Sequence, residues 1–248
     1  MKIAVCVSGT VKTDNPNGDL LKNNRRLIEK FPEADFYYAT WDSYKDIFNK
    51  LFPNYKCSYF KEPEISYHPY FGINSKNYVS KHFPEFVKWV KKKPFRKEWT
   101  RHHTKQILIH SMLVKSLPKH YDIIVRTRFD VFIHRSANFN EYIKDTFDRK
   151  RVNSFATTKA KMFNTLYESD MTEGSRMKNW MLDQLIIHRG DMLNHEEISK
   201  LHENKLLHPA EFGWYQVLSK PFGDNHVNHH GWVNHDKNIL DKFLKEVE

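Results

Sequence analysis

Cysteine is almost missing from this chain of 248 residues, which holds only Cys6 and Cys57. Two thiols cannot build a disulfide framework, and Cys6 sits inside an apolar run, so a reducing compartment is expected. Long hydrophobic runs are missing too. No stretch approaches the ~18 to 20 apolar residues of a membrane span. The opening run Ile3–Val7 is shorter than the apolar core of a secretory signal. Internal repeats and low-complexity linkers are lacking. These absences exclude the secreted, membrane-spanning and disordered classes. They leave a soluble, cytoplasmic globular protein, long enough to bury a sizeable core without staples.

Acids are in deficit. Asp and Glu number 30 against 40 Lys and Arg, giving a formal net charge of +10 and a pI near 9.4, and 15 His add charge below pH 7. Such a chain is suited to acidic partners: nucleic acid, nucleotide phosphates or an anionic membrane face. The charge is concentrated between Lys81 and Lys105, where nine basic residues face only Glu85 and Glu98. Phe83, Phe86, Trp89, Phe95 and Trp99 are interleaved there. One reading is an amphipathic segment with solvated lysines; the other is a polyanion-docking surface with aromatics for stacking.

The order of elements predicts an α/β fold with a largely parallel sheet. Ile3–Val7 reads as a buried strand ending in the turn Ser8-Gly9-Thr10. A helix is expected over Asp19–Phe31, then a strand over Asp35–Ala39 opening into Thr40-Trp41-Asp42, which together make a βαβ unit. A helix over Tyr44–Leu51 and short strands around Tyr55–Phe60 follow. Thr100 reads as the cap of a helix to Leu117, with Ile107, Leu108, Met112 and Leu113 on its apolar face. Asp122–Arg126 reads as a third strand, Asn138–Arg149 as a helix and Ser154–Thr165 as one strand. Leu182–His188 is a short apolar run. Helices are expected over Asp191–Asn204, Pro209–Leu218 and Lys237–Val247.

Ligands of open α/β sheets sit beyond the carboxyl ends of the strands. Ser8, Gly9 and Thr10 offer N–H groups and hydroxyls suited to phosphate or ribose. Thr40, Trp41 and Asp42 offer an aromatic face and a carboxylate. Arg126 and Arg128 alternate along one strand and so share a face, where paired guanidiniums can hold a diphosphate while Asp130 coordinates a divalent cation. The competing reading of the arginines is an ion pair to Asp122 or Asp130.

The segments "KIAVCVSGT", "ADFYYATWD" and "YDIIVRTRFDVFI", with Gln106 on the helix between, resemble nucleotide-sugar glycosyltransferases of bacteria and viruses with the A-type fold. The resemblance covers residues 1–135 well and the remainder loosely. It implies a single Rossmann-like domain over 1–248, with 1–135 binding the nucleotide sugar and 136–248 the acceptor. It further implies that Ser8, Gly9, Thr10, Thr40 and Trp41 contact the nucleotide. Gln106, Arg126 and Arg128 would lie near the phosphates or donor sugar, and Asp130 would stand at the metal position, with Mn or Mg as the cation. A lone Asp130 departs from the usual Asp-x-Asp, since position 128 is arginine. Arg128 could neutralise phosphate in the metal's stead.

In this fold an acid near Asp183 can act as general base on the acceptor hydroxyl, whereas a helix N-cap is the structural alternative. Glu211 is a second such acid. Among the histidines of "DNHVNHHGWVNHDK", His226 or His229 would join Asp130 on the metal or bind the diphosphate; zinc is disfavoured because no cysteines accompany them. The implied activity is transfer of a sugar from a UDP-linked donor. The Asn-, Lys- and Tyr-rich texture resembles tailed-phage proteins, which points to 5-hydroxymethylated pyrimidines of double-stranded DNA as acceptor. Lipopolysaccharide or capsule synthesis, and a non-catalytic nucleic-acid-binding module, are the alternatives. Nothing in the chain speaks to oligomeric state.

Overall fold

A computed structural model describes residues 1–11, 20–64, 96–133, 137–155, 164–166, 181, 183–196, 198–199, 213–214, 217–218 and 227–230. Strand β1 (Ile3–Ser8) is apolar, rich in valine and buried on both faces, as a central parallel strand must be. It pairs in parallel with β2 (Asp35–Trp41) on one side and β4 (Ile123–Thr127) on the other. Strand β3 (Cys57–Phe60) extends the sheet beyond β2. On the other flank β8 (Leu185–Arg189) runs antiparallel to β4, and β6 (Val152–Phe155) antiparallel to β8. Strand β9 (Val227–His230) closes that edge parallel to β6, giving the order β3-β2-β1-β4-β8-β6-β9. A separate parallel pair joins β5 (Val131–Ile133) to β7 (Asn164–Leu166).

Helices cover both faces of the sheet. Val5, Val7, Ile123, Val125, Leu185 and Ile187 point to one side and pack with α1 (Leu20–Lys30), α2 (Lys45–Leu51) and α4 (Asn140–Arg149), through residues such as Leu27, Phe48 and Ile143. The alternate residues Ala4, Cys6, Ala39 and Ile124 point to the other side, beneath Ile109 and Leu113 of α3 (Arg96–Lys115). The small side chains on that side let a long helix lie close to β1 and β2. Further along, Ile107 of α3 joins Ile186, Met192 and Trp214 in a third cluster. The α/β class and the mostly parallel sheet are those expected.

Polar clips fasten the layers. Asn23 of α1 is buried; its amide donates to the Val131 carbonyl, and its Oδ1 accepts from Ile133 N–H at 3.0 Å, so the side chain pairs with β5 as a neighbouring strand would. Asn153 of β6 donates to Tyr142 O, Asp145 Oδ2 and Thr146 Oγ1 of α4 at 2.9 to 3.2 Å. Gly190 is obligatory because a Cβ there would stand 2.1 Å from the Tyr121 carbonyl oxygen.

Three expected elements change. The α3 helix is described from Arg96, so Thr100 lies inside it and not at its N-cap position; Arg96, Lys97 and Glu98 are good helix formers and carry the helix upstream. The single strand over Ser154–Thr165 is two strands, β6 and β7, in different sheets. The segment after β2 enters α2 through a 3₁₀ turn, Asp42–Tyr44. Residues 195–196, 198–199, 213–214 and 217–218 are helical, within the two helices expected there. The C-terminal helix over Lys237–Val247 lies outside the described residues. Among the described residues no helix is long and apolar enough to cross a membrane.

Candidate active site

The chain leaves β1 toward β2 and β3, then returns across α3 to place β4 on the opposite side of β1. The strand order therefore reverses between β1 and β4, and ligands of open α/β sheets bind in the crevice outside the carboxyl ends at such a point. Because β8 is antiparallel, its first residue, Leu185, stands opposite Thr127, the last of β4. The segment preceding β8 thus reaches the same edge. Thr127 Oγ1 donates to the Gln184 carbonyl at 3.2 Å and ties the two ends together.

At the β1 end the turn is built around Gly9, whose φ of +136° is a conformation that side-chain-bearing residues rarely adopt. Gly9 N–H donates to Ala39 O at 3.2 Å, and Thr40 Oγ1 donates to Gly9 O at 2.8 Å. Ser8 is fully buried, and its Oγ has no hydrogen-bond partner among the described residues. Thr10 is half-buried. Trp41 does not present an aromatic face to the crevice. It is 1% exposed and packs in the core layer beneath α3. Thr40 and Trp41 shape the turn from within.

Gln106, Arg126, Arg128, Asp130 and Asp183 are brought together. Arg128 Nε and Nη2 donate to the two oxygens of Asp130 at 2.7 and 2.9 Å, and its Nη1 donates to Asp183 Oδ2 at 2.8 Å. One guanidinium thus holds two carboxylates. Arg126 is wholly buried, so the expectation that it touches phosphate gives way to a role behind the site. Its Nη1 donates to the backbone carbonyl of Asp183, and its Nη2 donates to Gln106 Oε1 at 3.0 Å. The guanidinium lies 4.8 Å from the centre of the Trp214 ring, a cation–π contact. Asp183 precedes a strand, which removes the helix N-cap alternative. The ion pair weighed for Arg128 exists, with Asp130.

The electrostatics follow from burial and these pairings. Desolvation pulls the Arg126 pKa down to about 9 against the supporting charge of Asp183, so it remains a cation at neutral pH. Partial desolvation would raise the half-exposed Asp130 carboxyl, but the charge and hydrogen bonds of Arg128, with the charge of Arg126, hold it below the usual carboxylate range. Behind Arg126 lie two buried histidines. His188 Nδ1–H donates to Arg189 O at 2.7 Å, which leaves its Nε2 to accept from His110 Nε2–H at 3.4 Å. Desolvation lowers the pKa of His188 to about 4 and that of His110 well below its ordinary value, so both are neutral beside the arginine.

A divalent cation at Asp130 is implied by the resemblance, and the donor set among the described residues does not fit one. Both Asp130 oxygens are taken by Arg128, and among the described residues no three His, Cys, Asp or Glu side chains come together. Glu211 and His226 lie outside the described residues. The backbone of His229 is in β9, three strand spacings from β4, roughly 14 Å across the sheet. Most of the basic aromatic stretch is also outside the described residues. Its last member, Lys105, is engaged within the chain, by Glu62 at 2.7 Å.

Two contributors escaped the sequence reading. Phe129, between Arg128 and Asp130, is buried with its ring 5.9 Å from those of Phe48 and Phe52, and so pins the turn that carries the ion pair. The pattern Arg-Phe-Asp, one apolar residue between charges, was the available signal. Trp214, stacked on Arg126, had none, because nothing in its neighbourhood fixes its distance from β4.

The fold and the crevice define a Rossmann-like α/β protein with a charged site at its topological switch point. No model of a known protein family matches the chain, and no curated protein matches it. Solved structures similar to it include 4-diphosphocytidyl-2C-methyl-D-erythritol synthase from Anaerococcus prevotii, at 7% identity and a TM-score of 0.49, with 100% of this chain and 96% of that one covered. TarS from S. aureus is similar at 11% identity and a TM-score of 0.40, covering 92% of this chain and 58% of that one. Mouse xyloside xylosyltransferase 1 is similar at 10% identity and a TM-score of 0.37, covering 99% and 91%. At such scores a function has to rest on the residues of the site itself.

Proposed function

We propose that this chain is a glycosyltransferase that moves a sugar from a nucleoside diphosphate, UDP foremost, to a hydroxyl acceptor. The observation that carries the reading is the meeting of Arg128, Asp130 and Asp183 at the carboxyl ends of β4 and β1. The β1 turn offers the half-buried Thr10 to the nucleotide, and Arg128 supplies charge for the diphosphate. The acceptor oxygen attacks the anomeric carbon, the bond from that carbon to the β-phosphate oxygen breaks, and its electron pair leaves with the nucleoside diphosphate. The acceptor's proton passes to Asp183, whose Oδ1 carries no hydrogen bond among the described residues. Arg126 holds that residue in place through its backbone carbonyl. Glu211 is the other acid proposed for this proton. Residues 1–135 would form the donor half and 136–248 the acceptor half.

The acceptor we propose is 5-hydroxymethylated pyrimidine in duplex DNA, supported by the net charge of +10 and the basic aromatic stretch Lys81–Lys105. The test is incubation with a panel of nucleotide sugars and duplex DNA bearing cytosine or 5-hydroxymethylcytosine, read by mass spectrometry. A sugar mass on the hydroxymethylated DNA alone is the expected result. Donor hydrolysis without DNA modification would keep the transferase and remove this acceptor. Tight DNA binding with no turnover of any donor would make the chain a binding module.

A further inference from the structure

We infer that Arg128 is the resident counter-cation of the site and Asp130 the carboxylate that occupies it until a diphosphate arrives, so that donor binding needs no divalent metal. The inference rests on the transferase reading and deepens it. Its ground is the way three N–H groups of one guanidinium are shared. Two form a side-on pair with Asp130 and the third reaches Asp183. This is the planar, bidentate geometry by which guanidinium also takes phosphate oxygens. The two carboxylates differ in access. The side chain of Asp183 is 13% exposed and that of Asp130 is 42% exposed. Asp130 can therefore turn into water and yield its face of Arg128, while Asp183 keeps the guanidinium in position. Phe129, locked between Phe48 and Phe52, keeps the backbone of the turn still during the exchange.

Before the donor arrives the resident charges are already matched. Arg126 and Arg128 carry two positive charges against the two negative charges of Asp130 and Asp183. A metal ion at Asp130 would have to break a bidentate ion pair and would then stand beside two cations. A diphosphate that displaces Asp130 keeps Arg128 paired throughout. As the sugar's bond to the β-phosphate breaks, the charge gathered on the leaving oxygen meets the same N–H donors, and no proton leaves the guanidinium.

The test is calorimetric binding of UDP, GDP, CDP and ADP to the full chain in EDTA and in Mn²⁺. It is repeated for Asp130→Asn and Arg128→Met, with circular dichroism to confirm folding. One nucleotide should bind with the same Kd, within about twofold, in EDTA and Mn²⁺. Asp130→Asn, which removes the competing charge, should tighten binding about tenfold, and Arg128→Met should abolish it. Binding that requires Mn²⁺ and is lost in Asp130→Asn would overturn the inference and leave the nucleotide site standing. If no nucleotide binds in either condition, the transferase reading itself falls, and the inference with it. Should the variants fail to fold, the comparison of EDTA with Mn²⁺ on the native chain decides alone.

Discussion

Asp183 is held at two points: Arg126 takes its backbone carbonyl and Arg128 its side chain. A group fixed in this way loses no orientation entropy when the acceptor arrives, as general-base catalysis requires. Asp183→Asn keeps the shape and removes the base, so kcat for sugar transfer should fall by about 10² to 10⁴. Nucleoside diphosphate binding should persist and tighten rather than weaken, because the substitution also removes a negative charge from Arg128, and steady-state kinetics beside calorimetry checks both. At the opposite end of β8, Gly190 lies under the Tyr121 carbonyl, to which it gives no room for a methyl group. Gly190→Ala must push two backbones apart, and a loss of about 2 to 4 kcal/mol in urea unfolding is expected. Residue types were the most legible part of the site. Arg126, Arg128 and Asp130 could be chosen by chemistry, and Gln106 and Asp183 by the resemblance, but not which arginine faces the ligand. Alternation along a strand says that two side chains share a face, and it does not say that the first of them is sealed under Trp214.

Among the elements, α2 does more than its seven residues suggest. Its Phe48 is fully buried and stacks on Phe52 at 4.9 Å, with Tyr38, Tyr59 and Phe129 around it. Phe48→Ala should cost about 3 to 5 kcal/mol. Because Phe129 loses a neighbour, the same variant should also weaken nucleotide binding, which a distant cavity of equal cost would not do. Denaturant curves paired with calorimetry separate the two effects. Strands and helices announced themselves where the pattern was clean: the unbroken apolar run of β1 and the amphipathic stretch Asp19–Phe31 that holds α1. The direction of β8 was not legible, because a short apolar run reads the same either way along the sheet. Nor could the division of Ser154–Thr165 between two sheets be read, since pairing partners are set by tertiary contacts. The reversal of β8 is what brings Asp183 to the arginines, so the site's central meeting lay beyond sequence patterning.

For the molecule as a whole, the buried pair His110–His188 couples stability to pH. In the unfolded chain each histidine takes up a proton as pH falls below about 6.5, while in the folded chain His188 resists until about 4. Its contribution is complete above pH 6.5 and drains away between 6.5 and 4, at about 1.4 kcal/mol per pH unit for each histidine held neutral. Asp130, with its pKa lowered by Arg128 after burial is overcome, adds a further loss at lower pH, below the range of a free carboxyl. Urea titrations at pH 7.0, 6.0 and 5.0 should therefore show falling stability toward acid. A flat profile would place both rings in water.

The distance along the chain between Arg126 and Asp183, 57 residues, has a consequence for how the protein comes into being. During synthesis, β4 and its guanidinium emerge well before the carbonyl that must receive it. A sheet closed early would trap that cation in apolar surroundings, at a cost of several kcal/mol. The amino-terminal half cannot settle by itself, then, and nascent β4 stays open to water until β8 has been made. Ribosome-bound chains ending before residue 183 should accordingly be cut readily by protease within β4, and chains that extend past β8 should resist.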